Sequence, residues 1–218
     1  MEAKSQIRQI VAMQIQLNER TVPNWMEQNL DWDSAVLVEV AEAVDSTDWK
    51  WWKHTETDMA NLRVEAVDLL HFLISKALNQ YRDSEFVVKT IADMVAHLKP
   101  NDLTPVEWLK QIALYTLENK VVKALQALLD LFVVLDMDLT AIHQAYITKN
   151  LLNHYRQERG YKDPKGQYLK VINGDEDNVV FARLVADVGE DVTDLETLKQ
   201  LLFERMDQQV AQARKAEK

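Results

Sequence analysis

Val36-Leu37-Val38-Glu39-Val40-Ala41-Glu42-Ala43-Val44 places two carboxylates three residues apart inside an apolar run. The pattern returns where Leu62 and Val64 lead into Glu65-Ala66-Val67-Asp68-Leu69-Leu70. Residues three apart on a helix share one face, one turn apart. Both segments read as buried, and a carboxylate taken out of water must be paired, protonated or bound to a cation. Glu39, Glu42, Glu65 and Asp68 converging in a helical core would make a site for Mg²⁺. Mg²⁺ recruited by carboxylates generally serves a phosphate substrate.

Spacing alone would decide nothing. With 35 acids in 218 residues, about five or six such pairs arise by chance. Asp45/Asp48, Asp191/Asp194 and Glu204/Asp207 are examples, and they lie in polar surroundings that read as solvated faces. The two motifs in apolar runs differ because water cannot easily satisfy them.

A chain of 218 residues suits a single domain over 1–218, or one large helical domain with an appendage, with a sizeable core. Only 4 Gly and 4 Pro leave little punctuation for a many-stranded β fold. The absence of Cys excludes disulfides, thiolate metal sites and cysteine nucleophiles. Met1-Glu2-Ala3-Lys4 does not open a secretory signal. No apolar stretch nears the ~20 residues that span a bilayer. A cytoplasmic location without membrane attachment is expected. The net charge of −10 argues against nucleic-acid binding. It still permits a small polyphosphate, held by a local basic patch and metal ions.

Periodicity predicts helices throughout, an all-α bundle with a four-helix metal-binding core. Helices are expected over 3–19, from a cap at Asp33 or Ser34 to Asp45, over 58–81, and over 85–98. The second is apolar on nearly every side and reads as buried all round. Asn101-Asp102-Leu103-Thr104-Pro105 reads as a linker with a Thr cap and Pro at the first helical position. One long apolar helix or two fill 106–135, and another runs from Thr140 to Gln157, with Gly160 as its stop. Residues 161–175 read as loop, with a short extended stretch at 168–172, before amphipathic helices over 177–187 and 193–214. The motifs fall at about 14–82 and 140–178, and 83–139 is helical but motif-poor.

Three further groups carry chemistry. Gln14 and Asn18, four apart, present two amides on one face, and amides can read the edge of a base. Trp49-Lys50-Trp51-Trp52-Lys53 concentrates more aromatic area than water tolerates. Core packing or an interface is its default reading, and a wall for a planar base its functional one. Lys149, Asn153 and Arg156 fall at i, i+4 and i+7, a stripe suited to phosphates or simply a solvated basic face.

Together these pieces resemble the dimeric all-α dUTPases, within the wider all-α nucleoside triphosphate pyrophosphohydrolases. The resemblance rests on Gln14, Leu17-Asn18, Thr21 and Trp25, then Glu39-Val40-Ala41-Glu42, Asp45-Ser46 and the 49–53 block. It continues through Asn61-Leu62-Arg63-Val64-Glu65-Ala66-Val67-Asp68-Leu69-Leu70-His71-Phe72. It ends with Lys149-Asn150-Leu151-Leu152-Asn153, Arg156-Gln157, Gly160-Tyr161-Lys162-Asp163 and Asn173-Gly174-Asp175-Glu176-Asp177-Asn178.

The resemblance implies Mg²⁺-dependent hydrolysis of dUTP to dUMP and pyrophosphate by a homodimer. Glu39, Glu42, Glu65 and Asp68 would ligate the metal, with Glu39 helping to activate water. Gln14, Asn18, a Trp of 49–52 (Trp49 or Trp52) and Asn153 would surround uracil. Phe72 and Tyr161 would flank the deoxyribose, supported by His71. Lys149, Arg156 and Lys162, with Lys53, would hold the phosphates. The loop after Gly160 is the candidate lid. Val22-Pro23 stands where the family often has Asn-Gly, which stiffens the first loop.

Other readings remain. A related pyrophosphohydrolase could act on dCTP or another non-standard deoxynucleotide, because Gln14, Asn18 and Asn153 could flip to suit either base. A di-iron carboxylate bundle needs Glu-x-x-His on two helices, and only Asp68-x-x-His71 approaches it. A helical interaction protein would use the acid pairs as buried ion pairs.

Overall fold

A computed structural model of the chain describes residues 2–99, 102–163, 168–188 and 194–216. Asn101 of the expected linker, Pro164-Lys165-Gly166 of the expected loop and candidate lid, and Asp191 lie outside the described residues. The described residues form nine α-helices and one two-stranded hairpin, an all-α architecture.

Where the sequence suggests one domain, contacts group the chain into two compact units, 1–146 and 147–218. The first holds α1 (Glu2–Thr21), α2 (Trp32–Asp45), α3 (Met59–Tyr81), α4 (Ser84–Val95), α5 (Pro105–Leu117) and α6 (Val121–Val134). It also holds the first turns of α7 (Leu139–Glu158). Here α3 is central, packing on α1, α2, α4 and α6, while α5 packs on α2 and α6. Leu62, Ala66, Leu69, Leu73, Ile74 and Leu78 of α3 are fully buried. Leu125, Leu128, Leu131 and Phe132 of α6 complete the core.

Local chemistry sets the helix ends. Asp31, rather than Asp33 or Ser34, caps α2, and its carboxylate accepts the Ser34 N–H at 3.0 Å. Asp58 and Asp83 cap α3 and α4 in the same way. Thr104 and Glu107 form a capping box before Pro105. The apolar 106–135 stretch is two helices, broken at Asn119, whose φ of 55° ends the α5 run. Arg63 of α3 donates twice to the Leu135 carbonyl, at 2.8 and 3.0 Å, satisfying the C-terminal end of α6.

The expectation that α2 is buried all round is corrected. Only Val36, Val40 and Ala43 are buried, one stripe at i, i+4 and i+7, while Val38 is 53% exposed. Apolar residues on its other faces raised the hydrophobicity without being fully buried.

The second unit is built from the rest of α7, β1 (Val171–Ile172), β2 (Asp175–Glu176), α8 (Asp177–Val188) and α9 (Leu195–Ala216). Leu151, Leu152, Tyr155, Ile172, Phe181, Leu202 and Met206 form its core. Asn173 and Gly174 both have positive φ, which is the turn a two-residue hairpin requires. The extended stretch expected at 168–172 is therefore β1, shifted to 171–172 and paired with 175–176. Gly160, at φ +78°, ends α7, and the Tyr161 N–H bonds back to the Arg156 carbonyl at 2.9 Å.

Candidate active site

Val40 and Ala43 of α2 and Leu62 and Ala66 of α3 are buried, and the two helices pack together, which fixes where the acids between them project. Ala43 and Ala66 are fully buried. Glu39, Glu42 and Glu65 then meet, each offering a carboxylate oxygen within 4.8 Å of the others. Asn61 fastens this group to the end of α2. Its amide donates to Glu65 Oε1 at 3.2 Å and to Ser46 Oγ at 2.8 Å.

Two expectations change. The acids lie at the edge of the core, with Glu39 and Glu65 half-buried and Glu42 exposed. The α2 run buries one stripe, and α3, buried over most of its surface, leaves Glu65 and Asp68 at the margin of its buried faces, so the carboxylates keep contact with water. Asp68, half-buried one turn beyond Glu65, stands outside the trio. The donor set still suits a hard cation that keeps some of its waters: oxygen only, multiply anionic and partly solvated. No histidine joins the group among the described residues, which disfavours the di-iron reading. The trio comes from two helices, α2 and α3.

Gln14 and Asn18 are not surface amides. Both are buried, at 3% and 8% exposure, and they meet Ser75 of α3. Gln14 Nε2 donates to Asn18 Oδ1 at 2.8 Å and to Ser75 Oγ at 2.9 Å. Asn18 Nδ2 donates to Ser75 Oγ at 2.9 Å, and Ser75 passes its own proton to the His71 carbonyl at 2.8 Å. The Tyr146 hydroxyl donates to Gln14 Oε1. Complete burial pushes the Tyr146 phenol well above its ordinary value, so it stays protonated. Its ring stacks on His71 at 4.0 Å and 9°. His71 is buried, with Nδ1 at 2.9 Å from the Val67 carbonyl, and Phe72 beside it is half-buried. Asp68, Phe72 and Ser75 fall at i, i+4 and i+7 on α3, so one helical stripe runs from an acid to the amide cluster.

The tryptophan block does not pack into this unit's core. Trp51 is 89% exposed, and Trp49 and Trp52 are also exposed. Trp52 meets Trp49 edge-on at 5.1 Å and Trp51 at 5.4 Å. Lys50 pairs with Asp45, leaving Lys53 as the block's exposed cation. The loop is closed at its base by the Asp58 N–H to the Ser46 carbonyl, at 2.8 Å. Trp25, by contrast, is core, set edge-on to Trp32 at 5.7 Å.

In the second unit, Arg156 forks onto buried Asp177 through two bonds of 2.8 Å. Its third nitrogen lies 3.5 Å from Asn153 Oδ1, and its guanidinium sits over the Tyr161 ring at 5.3 Å. Tyr168 donates to the same Asp177 carboxylate at 2.6 Å. Desolvation pushes Asp177 up, but the Arg156 and Tyr168 hydrogen bonds prevail and hold it below the ordinary 3.8. Asn153, Arg156 and Tyr161 are thus brought together, while Lys162 is exposed and Lys149 half-buried.

Ser75, Tyr146 and Tyr168 enter no motif of the sequence, and Asp177 stands in the matched 173–178 stretch without an assigned role. Ser75 and Tyr146 complete the amide cluster, and Asp177 holds Arg156. The signal for Ser75 was its place two turns beyond Asp68 on the same face. Tyr146 and Asp177 bond to residues distant in the chain, and no short pattern encodes that.

A helical bundle that gathers three carboxylates where two helices meet has the donor set that all-α phosphate-processing enzymes need for a divalent ion. The chain matches the family model for dUTPase over residues 6–161 and belongs to that family. It is a nucleotide hydrolase, a dUTP diphosphatase. No curated protein matches it. No helix of the described residues is long and apolar enough to cross a membrane.

Proposed function

We propose that the chain hydrolyses dUTP to dUMP and pyrophosphate at a Mg²⁺ site made by Glu39, Glu42, Glu65 and Asp68. The convergence of the first three within 4.8 Å carries this reading. Asp68 joins through the substrate-bound state, being one helical turn from Glu65. Mg²⁺ bound there would neutralise the triphosphate and lower the pKa of a bound water.

The side chains do the rest. Glu39, half-buried at the core's edge, accepts the proton of the attacking water. That oxygen bonds to phosphorus as the bridging P–O bond breaks, and pyrophosphate leaves. Gln14, Asn18 and Asn153 read the uracil edge, with Trp49 or Trp52 against its face. Phe72 and Tyr161, supported by His71, crowd the 2′ position of the sugar. Lys53, Lys149, Arg156 and Lys162 supply charge to the phosphates, and Arg156 does so while oriented by Asp177. The active form is a homodimer in the cytoplasm.

The test is pyrophosphate release with Mg²⁺, offering dUTP, dCTP, dTTP and UTP in parallel. dUTP should be strongly preferred. Glu42→Gln should abolish turnover while leaving the helical signal and melting temperature intact, because Glu42 is exposed. Hydrolysis of dCTP but not dUTP overturns the base assignment. Normal turnover by Glu42→Gln overturns the metal assignment.

A further inference from the structure

The amide cluster bears on the choice of base. Gln14 and Asn18 could in principle turn their amides over and suit either uracil or cytosine. Their hydrogen-bond partners oppose this. The single proton of Ser75 goes to the His71 carbonyl, so toward the amides its oxygen can only accept. Both groups facing it must therefore be N–H donors, and both are. At the other end, Tyr146 can only donate to Gln14, because its phenol is buried and protonated. Gln14 has both amide protons occupied, one on Asn18 and one on Ser75.

Turning Asn18 alone would set its oxygen against Ser75 Oγ and its nitrogen against Gln14 Nε2. Turning both amides together would oppose oxygen to oxygen at Ser75 and leave the Tyr146 proton without an acceptor. The chain of bonds therefore has one direction, running from Tyr146 through Gln14 and Asn18 to Ser75. Asn18 retains one N–H that no acceptor takes among the described residues, and a spare lone pair on Oδ1.

We infer that Ser75 and Tyr146 are positioning residues that fix the polarity of the Gln14–Asn18 pair, so that it presents a donor to a base carrying oxygen at position 4. Uracil offers O4 as an acceptor there, and cytosine offers a second donor, N4–H₂. Donor facing donor is the arrangement a hydrogen-bonding pocket rejects most strongly. This inference rests on the proposal that Gln14 and Asn18 read the base.

The test compares kcat/KM for dUTP and dCTP in the wild type, Ser75→Ala, Tyr146→Phe and the double variant, each first checked for cooperative melting. Each single variant removes one anchor and should lower the dUTP/dCTP ratio. The double variant leaves the amide pair free to adopt either direction and should lower the ratio at least about tenfold. KM for dUTP should change more than kcat. A purely structural role would slow both substrates alike and leave the ratio where it was. Should Ser75→Ala fail to fold, Tyr146→Phe decides, since it keeps the ring stacked on His71. A folded double variant with the wild-type ratio overturns this inference alone. A wild-type protein inert on dUTP overturns the proposed function and this inference with it.

Discussion

Asp177 shows how one buried side chain can support a site without touching it. It accepts from two of the three Arg156 nitrogens and from the Tyr168 hydroxyl, and its side chain has no exposed surface. Asp177→Asn removes the charge and leaves Arg156 unpaired, which costs roughly 3–5 kcal/mol when a buried pair is broken. The urea midpoint of the full chain should fall accordingly at neutral pH. The pH dependence has a definite sign. Asp177 titrates below its ordinary 3.8 in the folded state, so its contribution is complete above that value and fades as pH drops through the folded one. Asp207, lowered by its hydrogen bonds to Arg159 and Tyr155, adds to the same trend. Urea melts at a series of acid pH values should show stability lost below about pH 3.8 in the wild type, and a flatter profile in Asp177→Asn. At this scale the sequence was uneven. Glu39, Glu42 and Glu65 were legible because acids in apolar runs are chemically anomalous. Ser75 and the role of Asp177 were not, because an ordinary polar residue becomes informative only when its distant partners are known.

The elements were legible where their ends carry cap chemistry. Thr104-Pro105, Asp58 and Gly160 each mark a boundary that the structure places within a residue or two. The α5–α6 break was less visible, because Asn119 supplies the left-handed turn without any Gly or Pro. The packing of α2 misled more. Summed hydrophobicity described its composition, whereas its buried stripe is only Val36, Val40 and Ala43. Gly160 gives a prediction for α7. A Cβ there would meet only Asp163 Cβ, at an ordinary 3.6 Å, so Gly160→Ala is penalised by backbone conformation rather than crowding. At φ +78° the cost should be about 1–2 kcal/mol, seen as a lowered melting temperature. Pyrophosphate release should fall as well, since Tyr161 is fixed by its bond to the Arg156 carbonyl at that turn.

For the whole molecule, the formal charge of −10 sets the terms for a polyanionic substrate. Without a divalent ion, a triphosphate approaching Glu39, Glu42 and Glu65 meets repulsion, so turnover should vanish in chelator and return with Mg²⁺. The proposed homodimer predicts a light-scattering mass of twice the 25.3 kDa chain. Leu114 and Leu117 on α5 and Val38 on α2 are exposed apolar residues. The central claim is that these acids form a divalent-ion site. Calorimetric titration of Mg²⁺ into the wild type and Glu65→Gln tests it most directly. The wild type should bind the ion, and Glu65→Gln, still folded, should bind it at least about tenfold more weakly. Equal binding by both proteins, or none by the wild type even with dUMP present, would contradict the account.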